Sequence, residues 1–165
     1  MRLSKKSQYA LRALLELTDA YGQRPIRRSE IAKAQHIPSG FLESILLTLK
    51  HAGILASRSG VDGGFRLIKK PEDITLGQVI RILDGPLAPI PCVSQLAYQT
   101  CDDCPYAQTT SCPVKNLMSE IRHAITEILD HYTLRDLAKQ ASHHAVSSPV
   151  RVRKATKYHH RTTTR

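Results

Sequence analysis

The first half of the chain contains the segment SEIAKAQHIPSGFLESILLTLKHAG, residues 29–53. Apolar residues recur at helical spacing in 29–35 and again in the segment after 39, where they are Leu42, Ile45, Leu46 and Leu49. The turn-like residues 36–39 separate the two segments, and Gly53 ends the second one. Two helices joined by so short a turn predict a helix-turn-helix.

The flanking sequence adds a helix before this motif and a hairpin after it. An apolar stripe over 4–21, with Ser4 as its N-cap, predicts the first helix. Residues 54–59 and 65–68 are short strand-like runs, and the glycine-rich turn GVDGG at 60–64 separates them. A helix-turn-helix followed by a hairpin predicts a winged helix.

Two more helices are predicted beyond the hairpin. Thr75 and Gln78 form a capping box for one helix, and Pro113 begins a long one. The apolar stripe of the long helix is more than one small domain can cover, so we expect a dimer seam; packing within the chain's own core is the alternative. The stripe comprises Val114, Leu117, Met118, Ile121, Ile125, Ile128, Leu129 and Tyr132.

The chain therefore divides into four regions. We expect a winged helix-turn-helix in 1–85, a cysteine-rich cofactor loop in 86–112, and a dimerisation helix with a short terminal helix in 113–140. Residues 141–165 are rich in Ser, Thr, His, Lys and Arg, and we expect a disordered basic tail there. The predicted fold class is mainly α with a small β-hairpin wing.

Composition restricts the class of protein. Only 5% of the 165 residues are aromatic and none is Trp, which argues against a stacking platform for single-stranded nucleic acid. No apolar run has the length of a membrane-spanning helix and the N-terminus lacks a secretory h-region, so we expect a cytoplasmic protein without membrane partners. No convergent nucleophile, base and oxyanion site is recognisable, so we expect no enzymatic activity.

Charge is unevenly distributed along the chain. Residues 1–70 hold 13 Lys and Arg against 5 Asp and Glu, a balance of +8, whereas 71–140 hold 5 against 9 and 141–165 hold 6 against none. Lysines and arginines that neutralise phosphates supply the sequence-independent part of DNA affinity. The basic first region therefore predicts binding to double-stranded DNA.

The outward face of the second helix of the motif is expected to enter the major groove. If its apolar positions face inward, the 3.6-residue period turns Gly40, Glu43 and Lys50 toward solvent, along with Ser44 and Leu47. Glu43 can accept a hydrogen bond from a cytosine amino group, and Ser44 can bond to either kind of base edge. A solvated charged face without a DNA role is the alternative.

Further DNA-contact candidates surround this helix. Basic residues near helix starts suit phosphate contacts, and wing arginines suit the minor groove. The predicted DNA-contacting residues are Lys5, Lys6, Arg28, Ser39, Gly40, Glu43, Ser44, Lys50, Arg58, Gly63 and Arg66.

All four cysteines fall in the loop, as Cys92, Cys101, Cys104 and Cys112. In a chain without secretory features, such clustering favours a metal or catalytic site over a disulfide framework. Thiolates are the usual ligands of iron–sulfur clusters, and the sequence leaves a two-iron or four-iron cluster open. Zinc is less favoured because structural zinc sites more often present two CxxC pairs, and a thiol switch at Cys101 and Cys104 is a third possibility.

Pro113 gives Cys112 a special position. Proline favours the first residue of a helix, so Cys112 is predicted to cap the long helix. An anionic thiolate or cluster at that point would meet the positive end of the helix dipole. This arrangement would couple the state of a cofactor to the dimer helix.

These motifs together resemble the Rrf2 family of bacterial transcriptional regulators, over residue 1 to about 140. The resemblance implies a dimeric winged-helix regulator, by default a repressor, that reads a pseudo-palindromic promoter site. It is carried by KKSQYALRAL (5–14), Ile31-Ala32, Ile37-Pro38, Phe41-Leu42-Glu43, Gly53-Ile54-Leu55, Gly60, Gly63-Gly64-Phe65 and the segment 75–83.

The resemblance also implies a role for the cysteine loop. Sensing members of the family carry cysteines between the wing-side helix and the dimer helix, usually three at even spacing, and respond to iron or iron–sulfur status, redox state or nitric oxide. Four unevenly spaced cysteines predict four ligands, or three and a spare. The alternative is a cluster-free winged-helix repressor controlled by thiol oxidation, zinc or a partner protein. In the wing, the family often has Arg before the first glycine, whereas here Arg58 is followed by Ser59.

Overall fold

The computed structural model describes residues 3–102, 104–106 and 112–145, with side chains as far as residue 141. The first three helices confirm the predicted order, and they are α1 (Lys5–Asp19), α2 (Arg28–Gln35) and α3 (Ser39–His51). The Ser4 hydroxyl caps α1 by accepting a hydrogen bond from the backbone N–H of Ser7 at 3.1 Å. His36 ends α2 in the left-handed conformation, at φ 49°, which lets the chain turn toward α3 within three residues.

The wing is a two-stranded antiparallel hairpin. Strands β1 (Leu55–Arg58) and β2 (Gly64–Leu67) pair with Leu55 opposite Leu67 and Arg58 opposite Gly64. The backbones of Ile26 and Phe65 exchange hydrogen bonds of 2.9 and 2.8 Å. This bridge fixes β2 against the residue that precedes the helix-turn-helix.

Three helices follow the wing, and they are α4 (Leu76–Asp84), α5 (Pro113–His131) and α6 (Leu134–Ala145). Short 3-10 turns at Pro71–Asp73 and Pro91–Val93 lie in the connections. The Thr75 hydroxyl accepts a hydrogen bond from the Gln78 N–H at 3.2 Å, which confirms the predicted cap of α4. In the described part of the chain, no helix has both the length and the apolar character needed to cross a bilayer.

The core lies between α1, α3 and the wing-side elements, and α6 completes it. Leu14, Ile45 and Leu134 are fully buried in one apolar cluster. The backbone N–H of Leu76 donates to the carbonyl of Tyr132 at 2.8 Å, and that of Leu134 donates to the carbonyl of Ile74 at 3.0 Å. The end of α5 and the start of α6 are therefore bonded to the chain just before α4.

The terminal helix corrects the boundary of the predicted tail. We expected disorder from residue 141, but α6 continues to Ala145. Its Leu134 and Ala138 face the core, and each further turn of helix keeps the backbone hydrogen bonds of the previous turn satisfied. Residues 146–165 of the predicted tail lie outside the described residues.

Candidate DNA interface and cysteine site

The outward face of α3 is arranged as the periodicity predicted. Leu42, Ile45, Leu46 and Leu49 are fully buried, and the five candidates on this helix are exposed, namely Ser39, Gly40, Glu43, Ser44 and Lys50. The Ser44 hydroxyl donates to the Phe41 carbonyl at 2.9 Å. The oxygen of Ser44 is therefore better placed to accept a hydrogen bond from a base than to donate one.

Glu43 is held by a basic residue of the neighbouring helix. The Arg28 guanidinium at the start of α2 lies 2.5 Å from the Glu43 carboxylate, and the two side chains are 44% and 57% exposed. The pair joins two residues that the sequence proposed for different roles, phosphate contact and base contact. The ion pair orients the carboxylate, and in a DNA complex Arg28 would reduce the repulsion between Glu43 and the phosphates.

The wing presents arginines to solvent and is tied to α2. Arg58 and Arg66 are exposed on β1 and β2. The guanidinium of Arg27, the residue before α2, donates a hydrogen bond to the backbone carbonyl of Val61 at the tip of the hairpin. The wing, the start of α2 and α3 therefore form one connected basic surface.

Gly63 has a different place from the other candidates. It is buried inside the hairpin turn, and a Cβ atom at this position would overlap the backbone of Arg58, Ser59 and Gly60. Its lack of a side chain allows the strands to close, and this burial argues against direct contact with DNA.

The first turn of α1 carries the two candidate lysines, and a third cation lies further along the helix. Lys5 is exposed and Lys6 is half-buried. Arg12 was not among the predicted DNA-contact residues; its guanidinium lies 5.7 Å from the centre of the Tyr9 ring and donates to Gln35 at the end of α2. The i, i+3 spacing of Tyr9 and Arg12 on a predicted helix was the available signal.

The four cysteines surround one small cavity beside the start of α5. The cavity has a volume of about 40 Å³ and is lined by Cys92, Cys101, Cys104 and Cys112 with Tyr98, Thr100, Tyr106 and Lys115. Cys92 lies on the Pro91–Val93 turn, which packs against α5, and is 7% exposed. The fold thus brings together cysteines that are up to 20 positions apart in the sequence.

The thiols interact with one another and with the helix. Hydrogen bonding with Cys92, followed by partial desolvation, raises the pKa of the Cys101 thiol, which also contacts Cys104. Cys112 caps α5 as predicted, because its Sγ accepts a hydrogen bond from the Lys115 N–H at 3.4 Å. The four sulfur atoms therefore form one electrostatically connected group. All four cysteines are free thiols.

Lys115 adds a positive charge to this site. It lines the cavity, and its ammonium lies 5.4 Å from the centre of the Tyr98 ring. The lysine and the N-terminal end of α5 would both stabilise negative charge at the thiols.

The four cysteine thiols are ligands of the chemical type that iron–sulfur clusters use. Four thiols, a helix N-terminus and a lysine converge on one cavity, and thiolates are the ligands that such clusters use. Within the described residues, however, no group of three or more Cys, His, Asp or Glu side chains is arranged as a single metal ion requires. Holding a single metal ion would require the thiols to adjust their positions.

Known proteins resemble the chain over most of its length. Residues 3–140 match the Rrf2 family, described as iron-dependent transcriptional regulators. An rrf2-like HTH-type regulator of Rhodobacter capsulatus is 39% identical over 138 residues, which is 82% of this chain and 91% of the relative.

Two solved structures share the fold. The global cysteine regulator CymR of B. subtilis aligns with a TM-score of 0.70 and 31% identity, covering 85% of this chain and 98% of CymR. IscR of T. potens aligns with a TM-score of 0.69 and 26% identity, covering 90% and 94% of the two chains. These relatives are named as transcriptional regulators, which supports the expectation that the protein is not an enzyme. The chain therefore belongs to the Rrf2 family of winged-helix transcriptional regulators.

Proposed function

We propose that this regulator is a cytoplasmic homodimeric repressor that binds a pseudo-palindromic site in double-stranded promoter DNA. We further propose that an iron–sulfur cluster held by Cys92, Cys101, Cys104 and Cys112 adjusts its DNA affinity in response to iron or cluster supply, redox state or nitric oxide. The observation that carries the sensing proposal is the convergence of all four thiols on one cavity at the start of α5.

The basic surface supports the proposed mode of DNA binding. The exposed face of α3 has the size and composition to enter the major groove, and Arg58 and Arg66 of the wing suit the adjacent backbone or minor groove. The ion pair between Arg28 and Glu43 places a cation beside the one acidic residue on the reading face. Lys5 and Lys50 would neutralise phosphates.

The exposed stripe of α5 supports a dimer. Leu117 is 53% exposed and Ile128 is 63% exposed, and Val114 and Ile121 on the same stripe are also exposed. A second copy of α5 is the partner that fits this surface, since a two-fold dimer would present two α3 helices to two half-sites. Burial of this stripe would also shield apolar side chains from water.

The cysteine cavity is positioned to affect α5. When bound, the cluster would supply a redox-active and nitric-oxide-reactive anionic group. Cys112 accepts a hydrogen bond from the first turn of α5, so a change in what its sulfur bonds alters the start of that helix. Lys115 and the helix N-terminus would offset the negative charge of bound thiolates. Because α5 is the proposed dimer helix, such a change would alter the relative placement of the two α3 helices.

The first experiment is anaerobic purification of the full chain, with visible absorption and iron, sulfide and zinc analysis on one sample. We expect a brown protein with matched iron and sulfide. A colourless protein with bound zinc would make the loop a structural site, and a metal-free protein after attempted reconstitution would contradict the cluster.

Cysteine variants then test the ligands. Changing Cys92, Cys101 or Cys104 to Ala should remove the visible absorption and the bound iron, whereas Ser57→Ala on the exposed wing should leave both unchanged. Full iron content in all three cysteine variants would contradict the assignment. DNA affinity of the protein with and without its cluster should differ, and equal affinities would remove the proposed sensing role.

The alternative function is a repressor controlled by cysteine oxidation. It is favoured by the contact of the Cys101 thiol with the thiols of Cys92 and Cys104. Two thiols would lose two protons and two electrons to form a disulfide, and these would reduce hydrogen peroxide to two water molecules or an alkyl hydroperoxide to an alcohol and one water molecule. Mass spectrometry after peroxide treatment should then show a loss of two mass units in the tryptic peptide 82–115, which contains all four cysteines.

A further inference from the structure

Arg122 is the one buried residue among the described residues of α5, and the rest of this helix is exposed or half-buried. Its exposed fraction is 9%, so about nine-tenths of the residue is removed from solvent. The guanidinium has no hydrogen-bond partner at Nε among the described residues. A buried cation with an unused donor is costly unless an anion approaches it.

The contacts of Arg122 do not neutralise its charge. One terminal nitrogen lies 2.8 Å from Nε2 of His123, which is not an anion. Among the residues that the structure describes, no Asp or Glu forms an ion pair with Arg122. Asp130, about two turns further along α5, is already paired, since its carboxylate lies 2.5 Å from Arg81.

Arg122 lines a pocket of about 350 Å³ between α4, the loop after it and α5. This volume is in the range of small-molecule sites. Apolar side chains form much of the wall, and Gln95 and Thr126 add hydrogen-bonding groups. The lining residues are Arg81, Pro86, Leu87, Ala88, Gln95, Leu96, Arg122 and Thr126.

We propose that this pocket binds a small organic monocarboxylate through the guanidinium of Arg122. A monoanion matches the single uncompensated charge, because Asp130 neutralises Arg81. A dianionic phosphate would leave one negative charge unpaired against a largely apolar wall. The fork of a guanidinium also matches the geometry of a carboxylate.

The position of the pocket gives the ligand a regulatory role that is separate from the cysteine cavity. Arg81 belongs to α4, Gln95 and Leu96 follow the turn that holds Cys92, and Arg122 belongs to α5. A ligand in contact with all three parts would restrain the winged helix, the cysteine loop and the long helix relative to one another. The protein would then respond to a carboxylate as well as to its proposed cysteine signal.

The direct test follows the arginine Nε–H signals of the isotopically labelled full chain by NMR during titration with sodium acetate and sodium butyrate. Chloride keeps the ionic strength constant, and Arg122→Lys assigns the signal by its disappearance. We expect a saturable shift of the Arg122 signal, with butyrate binding more tightly than acetate because of the apolar wall. No shift with either probe at up to about 100 mM, well above the millimolar range of weak binding, would overturn the proposal.

Matched variants complete the test. In thermal unfolding at constant ionic strength, butyrate should raise the Tm of the protein. The control variant Arg135→Gln, which changes a surface arginine, should show the same increase. In Arg122→Gln the increase in Tm should be at least tenfold smaller. Thr126→Val, which keeps Arg122, should weaken it to a smaller extent. The proposal would be overturned if butyrate raised the Tm of Arg122→Gln as much as that of the parent. It would also be overturned if phosphate, and not butyrate, raised the Tm, or if the Tm changed only with protein concentration. None of these readouts depends on bound iron or on DNA.

Discussion

Arg81 of α4 donates two hydrogen bonds to the carboxylate of Asp130 near the end of α5, at 2.5 and 2.8 Å. The two residues are 49 positions apart in the sequence. Planar guanidinium and carboxylate groups joined by two bonds resist rotation, so this pair fixes the angle between the wing-side helix and the long helix. Of the ion pairs between residues that the structure describes, this one joins the winged helix directly to α5.

Gly77 makes room for this pair. It lies in the first turn of α4, and a Cβ atom there would overlap Oδ1 of Asp130 and lie 2.9 Å from a terminal nitrogen of Arg81. The glycine therefore leaves the space that the flexible ends of these two side chains occupy, and its backbone conformation does not itself call for a glycine. A side chain at this position would push the carboxylate away.

Gly77→Ala should destabilise the protein by about 1 kcal/mol, because the added methyl group would displace the paired ends of Asp130 and Arg81 and the higher helix propensity of alanine offsets only part of this loss. Urea unfolding monitored by circular dichroism measures the effect. Gly40→Ala on α3 is the matched control, because a Cβ there meets open space, and it should leave stability unchanged or slightly increased. If Gly77→Ala unfolded at the same urea concentration as the parent, the proposed crowding would be wrong.

The same pair makes stability depend on pH. Hydrogen bonding from Arg81 lowers the pKa of Asp130 below its ordinary value. A carboxyl group whose pKa is lower in the folded state stabilises the protein above the unfolded-state pKa of about 3.9, and this stabilisation is lost as pH falls through the folded value.

Asp130→Asn should therefore be less stable than the parent at pH 7, and the difference should shrink below about pH 4. Urea unfolding at pH 7, 5, 4 and 3.5 gives the two curves. Asp62→Asn, on the exposed wing tip, controls for the loss of one negative charge. A difference between Asp130→Asn and the parent that stays constant down to pH 3.5 would contradict the role of this carboxylate.

Local sequence patterns were sufficient for the helix-turn-helix and the wing. The inward positions of α3 follow from the 3.6-residue period, and Ser4 and Cys112 cap their helices where the sequence placed them. Each of these features depends on residues within a few positions of one another. For the same reason the turn at 60–64 was recognisable from its glycines.

Features that depend on distant residues were not predictable. The return of α6 to the core rests on its packing against α1, with Leu134 buried in the apolar cluster, and no local period reports that contact. The pairing of Arg28 with Glu43 depends on the angle between α2 and α3. Gly63 was predicted to contact DNA as part of the wing turn, but its burial follows from the way the turn closes. The sequence also contained four clustered cysteines without showing which thiols would touch.

Two substitutions on α3 should separate base recognition from phosphate contact. Glu43→Gln should relax the preference at one base pair, at a cost of about 1–3 kcal/mol in discrimination. Lys50→Gln should weaken binding to all sequences alike and reduce the salt dependence by about one phosphate contact. The measurements are selection from a randomised duplex library, followed by fluorescence anisotropy at several salt concentrations.

Arg28→Gln provides the matched control for Glu43. Without Arg28 the Glu43 carboxylate is no longer oriented and its charge is no longer compensated. This variant should therefore weaken DNA binding and reduce the preference at the same base pair. An unchanged selected sequence for Glu43→Gln would show that Glu43 does not read a base. Glu43 would then be an exposed acidic residue that contributes to solubility or repels phosphates, without contacting a base.

The apolar stripe of α5 gives the last prediction. Leu117→Asp combined with Ile121→Asp puts two charges into the proposed seam, where burying them would be costly. Sedimentation equilibrium should show a folded monomer of 18.4 kDa in place of a dimer of twice that mass. Affinity for a two-half-site operator should fall by about 100-fold or more, because the two α3 helices would no longer bind as one unit.

Ile68→Asp separates this effect from the general effect of charging an exposed apolar residue. Ile68 is 50% exposed at the end of the wing and lies outside the stripe, so this variant should remain dimeric. If the Leu117 and Ile121 variant also remained dimeric, another surface would have to join the copies. The cysteine cavity at the start of α5 would then need a different route to the two α3 helices, since α5 would no longer connect one copy with the other.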